Sequence, residues 1–307
     1  MDAILLGRVG YDLMSEEPHV PLKDVRRFSR YLGGSSANQA VGLARLGMRT
    51  AMIAAVSKDA AGDFLVEFLQ KEKVDTRHVQ RVDGYQSSLC ITENSPPDRF
   101  PQVFWRKDAA DIQLRVTPAA LSFMEKARLF ATNGTSLCGS PSQESTLSAL
   151  ERAHRARLTV VFDVDYRAMS WKSPEQAGKF ARLALPYVDV IIGNEPELCL
   201  VTGAHSVDEA VKRLRDKVRV VVSKLGEKGV RLVRGGKEYF QAPVPIKVVS
   251  TIGAGDGFAA GFLYAHLAGK DWPDCLRYGN AAAAVVVSRL SCSEAMPTLT
   301  ELEALLQ

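Results

Sequence analysis

The chain has 307 residues, 46% of them hydrophobic and 24% charged, as in an ordinary globular protein. Its formal net charge of +4 is small, and the chain has no long run of Lys and Arg. Both features argue against a nucleic-acid partner. The apolar runs are too short to cross a membrane, and five scattered cysteines without a C-x-x-C spacing predict reduced thiols in a cytoplasmic protein.

Short β-prone runs alternate with helical runs along most of the chain. Strands are predicted over residues 3–7, 50–56, 129–132, 159–163, 188–193 and 218–223. Helices are predicted over residues 36–46, 60–72, 142–156, 174–185 and 207–215. This alternation predicts a single α/β domain over residues 1–307, with a doubly wound, mainly parallel sheet flanked by helices. Ligands of such sheets bind beyond the carboxyl ends of the strands.

Two stretches, residues 12–32 and 85–116, interrupt the alternation. They are rich in polar and aromatic residues and lack a helical period, while residues 88–93 and 102–106 alternate like strands. We therefore predict a small antiparallel β-sheet that forms a lid beside the core. An exposed edge of this sheet is suited to pairing with the same edge of a second copy, which predicts a homodimer through the lid.

The most informative segment is the Gly-rich run at residues 250–258, Ser-Thr-Ile-Gly-Ala-Gly-Asp-Gly-Phe. It follows a β-prone run at 244–249 and opens a predicted buried helix. A Gly-rich helix start presents free backbone N–H groups to an anion. Asp256 would repel a bound phosphate, but a carboxylate beside an anion hole is suited to removing a proton while the hole stabilises the transferred group. The segment thus predicts phosphoryl transfer to a hydroxyl.

Two other segments combine glycines with polar side chains. The run at 33–38, Gly-Gly-Ser-Ser-Ala-Asn, opens a helix and would let a ligand approach the backbone, although a tight turn with a capping serine explains it equally well. The run at 223–229 places Lys224 between a strand and two glycines, Gly226 and Gly229, which suits a nucleotide phosphate or a simple hairpin turn.

Two further features carry charged groups to the same predicted edge. Asn194-Glu195-Pro196-Glu197 follows a strand and offers oxygen ligands for Mg²⁺, although an N-capped helix with acidic first-turn residues is the more common explanation. Arg106 lies in the predicted lid and Arg167 ends another strand. The guanidinium groups of these two arginines would suit a substrate that bears a carboxylate. The alternative is that each arginine forms a surface salt bridge.

With these residues together, the chain resembles the PfkB-type carbohydrate kinases, which have the ribokinase-like fold. The resemblance rests on Gly-Gly-x-x-x-Asn-x-Ala at residues 33–40, followed by a helix and Leu-Gly, and on Thr-x-Gly-Ala-Gly-Asp at 251–256. It covers nearly the whole chain. Within the family, residues 8–12, 162–167 and 291–298 most resemble the kinases of 5-dehydro-2-deoxygluconate, an intermediate of inositol catabolism.

The resemblance implies a role for each matching residue. It makes Asp256 the general base and gives the anion hole to Gly253, Ala254 and Gly255. It implies sugar contacts from Asp12, Gly33, Gly34 and Asn38, and contacts with the acid group from Arg106 and Arg167. It implies a nucleotide site for ATP lined by Lys224, Gly226, Gly229, Thr251 and Asn280. It implies that Asn194 and Glu197 organise Mg²⁺ through water.

One departure from the family pattern concerns a monovalent cation. Many relatives have an Asp at the start of the second segment, and that Asp helps to bind potassium. Here the position is Ser250, which argues against a potassium site, although residues 291–294 could supply part of one.

The sequence leaves four functions open. The first is an ATP-dependent kinase for the terminal hydroxyl of a keto-deoxy sugar acid, with 5-dehydro-2-deoxygluconate favoured and 2-dehydro-3-deoxygluconate next. The second is a kinase of the same family for ribose, fructose or a nucleoside. A nucleotide-dependent oxidoreductase is the third, but G-x-G-x-x-G does not follow the first strand. A sugar sensor without activity is the fourth, and an intact Asp256 argues against it.

Overall fold

The computed structural model describes residues 1–96 and 99–307; residues 97 and 98, which fall in the predicted lid segment 85–116, lie outside the described residues. The strands are β1 (Ala3–Leu6), β2 (Gly10–Ser15), β3 (Phe28–Gly33), β4 (Thr50–Ser57), β5 (Asp75–Val82), β6 (Leu89–Thr92), β7 (Gln102–Trp105), β8 (Leu129–Asn133), β9 (Thr159–Asp163), β10 (Val190–Asn194), β11 (Val220–Lys224), β12 (Val230–Arg234) and β13 (Lys237–Gln241). The helices are α1 (Ser35–Arg45), α2 (Ala60–Lys71), α3 (Pro118–Met124), α4 (Ser142–Arg155), α5 (Pro174–Ala184), α6 (Glu195–Thr202), α7 (Val207–Leu214), α8 (Ala254–Leu267), α9 (Trp272–Val287) and α10 (Leu299–Leu306).

Nine strands form the main sheet in the order β13-β12-β11-β10-β9-β8-β1-β4-β5. The seven strands from β11 to β5 are parallel, and the hairpin β12–β13 adds two antiparallel strands at one edge. The predicted doubly wound, mainly parallel α/β fold is confirmed.

Both faces of the main sheet are covered by helices. Within β1, Leu5 packs into one core cluster with α1, α2, α8 and α9, while its neighbours Ile4 and Leu6 pack into a second cluster with α3 to α7. Because a parallel strand of this kind is buried on both faces, its sequence is apolar throughout rather than alternating. That is why the central strands could be recognised as continuous apolar runs.

Four strands form a separate small sheet in the order β3-β2-β6-β7. The pairs β2–β3 and β6–β7 are antiparallel, whereas β2 and β6 are parallel because a long excursion through the main sheet separates them. The cross-strand pairs place Asp12 and Cys90 on the face that turns to the main sheet, and Leu13, Ile91 and Val103 on the other. The segment after β7 leaves the small sheet and joins the main core through Leu114.

The β-prone run at 244–249 does not form a strand. β13 ends at Gln241, and the following residues lack regular structure until α8. Pro243 and Pro245 explain the difference, since neither can donate a ladder hydrogen bond. Val249 and Ser250 instead donate their N–H groups to the carbonyl of Val287, at distances of 2.7 and 3.1 Å. This contact fixes the approach to α8.

No helix within residues 1–96 and 99–307 combines the length and the hydropathy that a transmembrane span needs.

Candidate active site

Two adjoining cavities lie at the carboxyl edge of the main sheet. The larger, about 510 Å³, is bounded by the ends of β9, β10 and β11 and by the start of α8. The smaller, about 40 Å³, lies beneath the small sheet. Both are lined by Gln102, Asp165, Arg167, Ile252, Gly253 and Asp256. The structure therefore places Asp256 where a ligand in one cavity would meet a ligand in the other.

Asp256 lies in the first turn of α8 and is 9% exposed. Its two carboxylate oxygens accept hydrogen bonds from α1: Ser35 Oγ donates to Oδ1 at 2.5 Å, and Asn38 Nδ2 donates to Oδ2 at 2.7 Å. Burial raises the pKa of Asp256, the Asp165 carboxylate raises it further, and the two hydrogen bonds oppose the rise. The carboxylate is thus held in a fixed orientation with a raised basicity, which suits a general base.

The predicted anion hole lies in the backbone before Asp256. Gly253 is the N-cap of α8 with φ of 81°, in the left-handed region that glycine favours. A Cβ there would lie 3.1 Å from Cys292 Sγ, so there is little room for a side chain at this turn. The N–H groups of Ala254, Gly255 and Asp256 belong to the first helical turn, where the dipole is positive and most donors lack a helical partner; Ala254 N donates to the carbonyl of Thr251 at a long 3.4 Å. All three residues line the larger cavity.

A chain of hydrogen bonds connects Asp256 with a partly buried ion pair. Gln39 Nε2 donates both to Ser35 Oγ at 3.3 Å and to Asp163 Oδ2 at 3.2 Å. Lys224 Nζ lies 3.3 Å from Asp163 Oδ1. Burial raises the pKa of Asp163 to about 7, although Lys224 opposes the rise. For Lys224, burial lowers the pKa, but Asp163 and three further carboxylates outweigh it and hold the pKa above the usual range.

Sequence reasoning missed Ser35, Gln39 and Asp163 as site residues. Ser35 and Gln39 are four residues apart on α1, a spacing that places both on one helical face with Asn38 beside them. Asp163 is the last residue of β9, where the carboxyl edge of the sheet begins. The sequence signal that could have identified these three residues was their position next to the carboxyl edge of the sheet, where ligands bind. The partners could not be foreseen because Asp163 and Asp256 are distant in the chain.

Lys224 lies close to the anion hole, since a Cβ on Gly255 would be 3.3 Å from its Nζ. The other predicted nucleotide residues, Gly226, Gly229, Thr251 and Asn280, all line the larger cavity. Asn280 Nδ2 donates to the carbonyls of Gln241 and Ala242 at 3.3 and 2.8 Å, which ties α9 to the end of β13. The structure thus brings the predicted nucleotide residues together on one wall.

Asn194 and Glu197 form a capping box at the start of α6. Asn194 Oδ1 accepts from Glu197 N at 2.9 Å, and Glu197 Oε2 accepts from Asn194 N at 2.7 Å. Glu197 Oε1 accepts from Tyr166 N at 3.1 Å. The alternative of a capped helix is therefore correct, and both residues also line the larger cavity.

The acidic side chains of the larger cavity fit a hydrated divalent cation. Asp163, Asp165, Glu197 and Asp256 all line it, and the last three each raise the pKa of Asp163. A cation would reduce the electrostatic repulsion among these carboxylates. Mg²⁺ prefers oxygen ligands and keeps several of its waters. Within residues 1–96 and 99–307, three or more such side chains do not converge closely enough to ligate a metal directly.

The two predicted arginines differ in their surroundings. Arg106 is buried, and Asp111 Oδ2 accepts from its Nε at 3.0 Å and from its Nη2 at 2.6 Å. Its charge is therefore already compensated. Arg167 lies in both cavities with about half of its side chain exposed, and its Nε is 3.1 Å from Asp165 Oδ1. Arg167 can therefore turn part of its guanidinium towards a ligand.

The predicted sugar residues line the smaller cavity or shape it. Gly33 leaves room for Asp12, because a Cβ on Gly33 would lie 2.1 Å from the Asp12 carboxylate. Gly34 has φ of 103°, and a Cβ there would lie 2.2 Å from the carbonyl oxygen of Arg8. Asp12 Oδ1 and Asn38 Oδ1 are buried without a hydrogen-bond partner among the described residues. Both oxygens are therefore free to accept from ligand hydroxyls.

Comparison with known proteins places the chain among carbohydrate kinases. The sequence model of the pfkB family carbohydrate kinases matches residues 2–299. A 5-dehydro-2-deoxygluconokinase from Geobacillus thermodenitrificans is 37% identical over 100% of this chain and 93% of its own length. One from Bacillus subtilis is 33% identical over 100% and 96%. A double-mutant fructokinase from Vibrio cholerae, solved with fructose, ADP and potassium, superposes with a TM-score of 0.89 at 26% identity, over 100% and 99% of the two chains.

Proposed function

The chain belongs to the PfkB family of carbohydrate kinases, and from this premise we propose that it transfers the γ-phosphoryl group of ATP to the terminal hydroxyl of 5-dehydro-2-deoxygluconate. Membership of the family confirms the prediction made from residues 33–40 and 251–256. The observation that supports the reaction most strongly is Asp256, buried between the two cavities and beside the start of α8. The names of full-length relatives at 33–37% identity support the substrate and disfavour 2-dehydro-3-deoxygluconate.

The proposed reaction assigns one role to each wall of the site. ATP occupies the larger cavity against Lys224 and the anion hole, and the sugar acid occupies the smaller cavity with its terminal hydroxyl at Asp256. Asp256 accepts the proton of that hydroxyl as the oxygen bonds to the γ-phosphorus and the bond to the ADP oxygen breaks. The N–H groups of residues 254–256 stabilise charge on the transferred group.

Mg²⁺, held through water by Asn194 and Glu197, would neutralise the phosphate oxygens. Neither side chain needs to leave its capping hydrogen bonds for that, because water provides the bridge. The small sheet is proposed to act as a lid over the sugar, since Asp12 and Phe104 project from it into the smaller cavity. Excluding water there would protect ATP from hydrolysis when no sugar is bound.

A coupled assay of ADP release tests the proposed function. The substrates are 5-dehydro-2-deoxygluconate, 2-dehydro-3-deoxygluconate, ribose and fructose, each at several concentrations. We expect the highest kcat/KM with 5-dehydro-2-deoxygluconate and little ADP release without sugar. A higher kcat/KM with ribose or fructose would contradict a sugar-acid kinase, and no release with any substrate would favour a sensor.

We also propose a homodimer through the small sheet. The face that turns away from the site carries Leu13, Ile91, Val103 and Trp105, of which Val103 and Trp105 are 42% and 62% exposed. The occupant we propose is a second copy, since a twofold axis can bring the apolar side chains of two such faces together, with Arg30 beside Leu13 at the margin. Light scattering of the protein and of Trp105→Lys tests this: a dimer that becomes a monomer supports it, and a monomer in both contradicts it.

A further inference from the structure

The smaller cavity is lined by three arginines, and two of them are already paired with carboxylates. Asp111 binds Arg106, and Asp165 binds Arg167. The third is Arg8, which sequence reasoning did not select. Its Nη1 donates to Ser88 Oγ at 3.2 Å, and within residues 1–96 and 99–307 its guanidinium has no carboxylate within 4.0 Å. Arg8 therefore brings an uncompensated positive charge to the cavity.

The surroundings of Arg8 are shaped to hold its side chain in place. Arg8 is only 9% exposed, and its guanidinium carbon lies 5.4 Å from the ring centre of Phe104, in cation–π contact. A Cβ on Gly10 would be 2.2 Å from Arg8 Nη1, so the glycine at the start of β2 leaves the space that the guanidinium occupies. Gly10 and Phe104 belong to the small sheet, which thus fixes a side chain that comes from the loop after β1.

A buried guanidinium with one neutral partner is costly unless a ligand supplies the opposite charge. A planar carboxylate is the anion that pairs with it through two parallel hydrogen bonds. Asp12 does not form an ion pair with Arg8, because its nearest carboxylate oxygen is more than 4.0 Å from the nitrogens of the Arg8 guanidinium. Burial also raises the pKa of Asp12, with Arg8 opposing the rise.

We propose that Arg8 binds the carboxylate of the substrate and sets the preference of the kinase for sugar acids over neutral sugars. The proposal rests on the proposed function and deepens it. With the acid group at Arg8, the acceptor oxygens of Asp12 and Asn38 lie in the same cavity for the hydroxyls, and Asp256 meets the terminal hydroxyl at the border with the larger cavity. Arg167 becomes a second, more exposed contact, and Arg106 supports the cavity through Asp111.

The test compares the sugar acid with its neutral C1 amide, which has the same shape at the reacting end. For each enzyme the acid preference is the ratio of the two kcat/KM values. In Arg8→Gln we expect this ratio to fall about 10- to 100-fold, the loss of one charge-assisted contact, with the KM of ATP changed less than twofold. The matched control is Arg49→Gln, which removes an exposed arginine at the opposite edge of the sheet and should keep the ratio of the unmodified enzyme.

The outcomes separate the two proposals. If the unmodified enzyme prefers the acid and Arg8→Gln keeps that preference, the role of Arg8 is overturned and the proposed function stands. If the unmodified enzyme uses the acid and the amide equally well, the role of Arg8 is overturned and phosphorylation of the sugar acid stands. If it phosphorylates neither compound, the proposed function is overturned and the role of Arg8 falls with it. Should Arg8→Gln fail to fold, as judged by thermal unfolding and ATP binding, Arg8→Met keeps the length of the stem, lacks the charge and carries the same expectation.

Discussion

The hydrogen bond from Ser35 to Asp256 gives a quantitative prediction. Replacing Ser35 by Ala removes the 2.5 Å hydrogen bond to Oδ1 and leaves the 2.7 Å bond from Asn38 in place. A hydrogen bond to a charged group is worth about 1.5–3 kcal/mol. At 1.36 kcal/mol per pKa unit, its loss raises the pKa of Asp256 by about one to two units. Because the base must be ionised, turnover in Ser35→Ala should fall on acidification at a correspondingly higher pH.

The assay is the pH dependence of kcat/KM, whose acidic limb reports the pKa of the free enzyme's base. Burial already raises the pKa of Asp256, so the limb of the unmodified enzyme should lie above pH 3.8, the ordinary value for an aspartic acid. The matched control is Ser36→Ala: Ser36 Oγ donates to the carbonyl of Leu6 at 3.0 Å rather than to Asp256. If the limb in Ser35→Ala coincides with those of the control and the unmodified enzyme, Ser35 does not tune the base.

Three further predictions address the remaining charged groups. Arg167→Ala should raise the KM of the sugar acid and leave that of ATP near its original value; equal losses with neutral sugars and sugar acids would argue against a contact with the acid group. Lys224→Met leaves Asp163 buried without its partner, which should lower the free energy of unfolding by about 3 kcal/mol at pH 8. This loss of stability should be smaller at pH 6, because protonation of Asp163 removes the unpaired charge. Urea unfolding measures it, with Lys228→Met, at an exposed lysine, as the control, and a loss that is independent of pH would contradict the prediction. Turnover should be the same in potassium and in tetramethylammonium salts, because Ser250 has no charge and its hydroxyl accepts from Ile252 N at 3.2 Å; a strong requirement for potassium would show that other groups build the cation site.

The sequence was sufficient where local pattern and global fold agree. The apolar runs of β4 and β9 and the amphipathic helices between strands predicted the parallel sheet, since one strand buried on both faces needs helices on both sides. The Gly-rich start of α8 was equally clear, because few other turns need so many glycines. The run at 244–249 shows the limit: its β-branched residues favour a strand, but Pro243 and Pro245 prevent one.

Within the site, the sequence predicted positions better than partners. Asp256 and Asn38 were expected in the site, but their direct hydrogen bond joins residues 218 positions apart. Arg106 is predicted to contact the acid group, and its partner Asp111, only five residues away, was not foreseen. The sequence alone did not indicate a role for Arg8. That role depends on Gly10, Ser88 and Phe104, which the small sheet brings around it.

Transfer of phosphate to a sugar acid, with Asp256 as the base, is the central proposal for this protein. The decisive measurement is ³¹P NMR of the product formed from ATP and 5-dehydro-2-deoxygluconate by the unmodified enzyme and by Asp256→Asn. We predict a phosphate monoester at the terminal carbon, formed about 10²–10⁴ times more slowly by Asp256→Asn, with unchanged thermal unfolding in the variant. An ester at another position, or near-normal turnover by Asp256→Asn, would contradict the account.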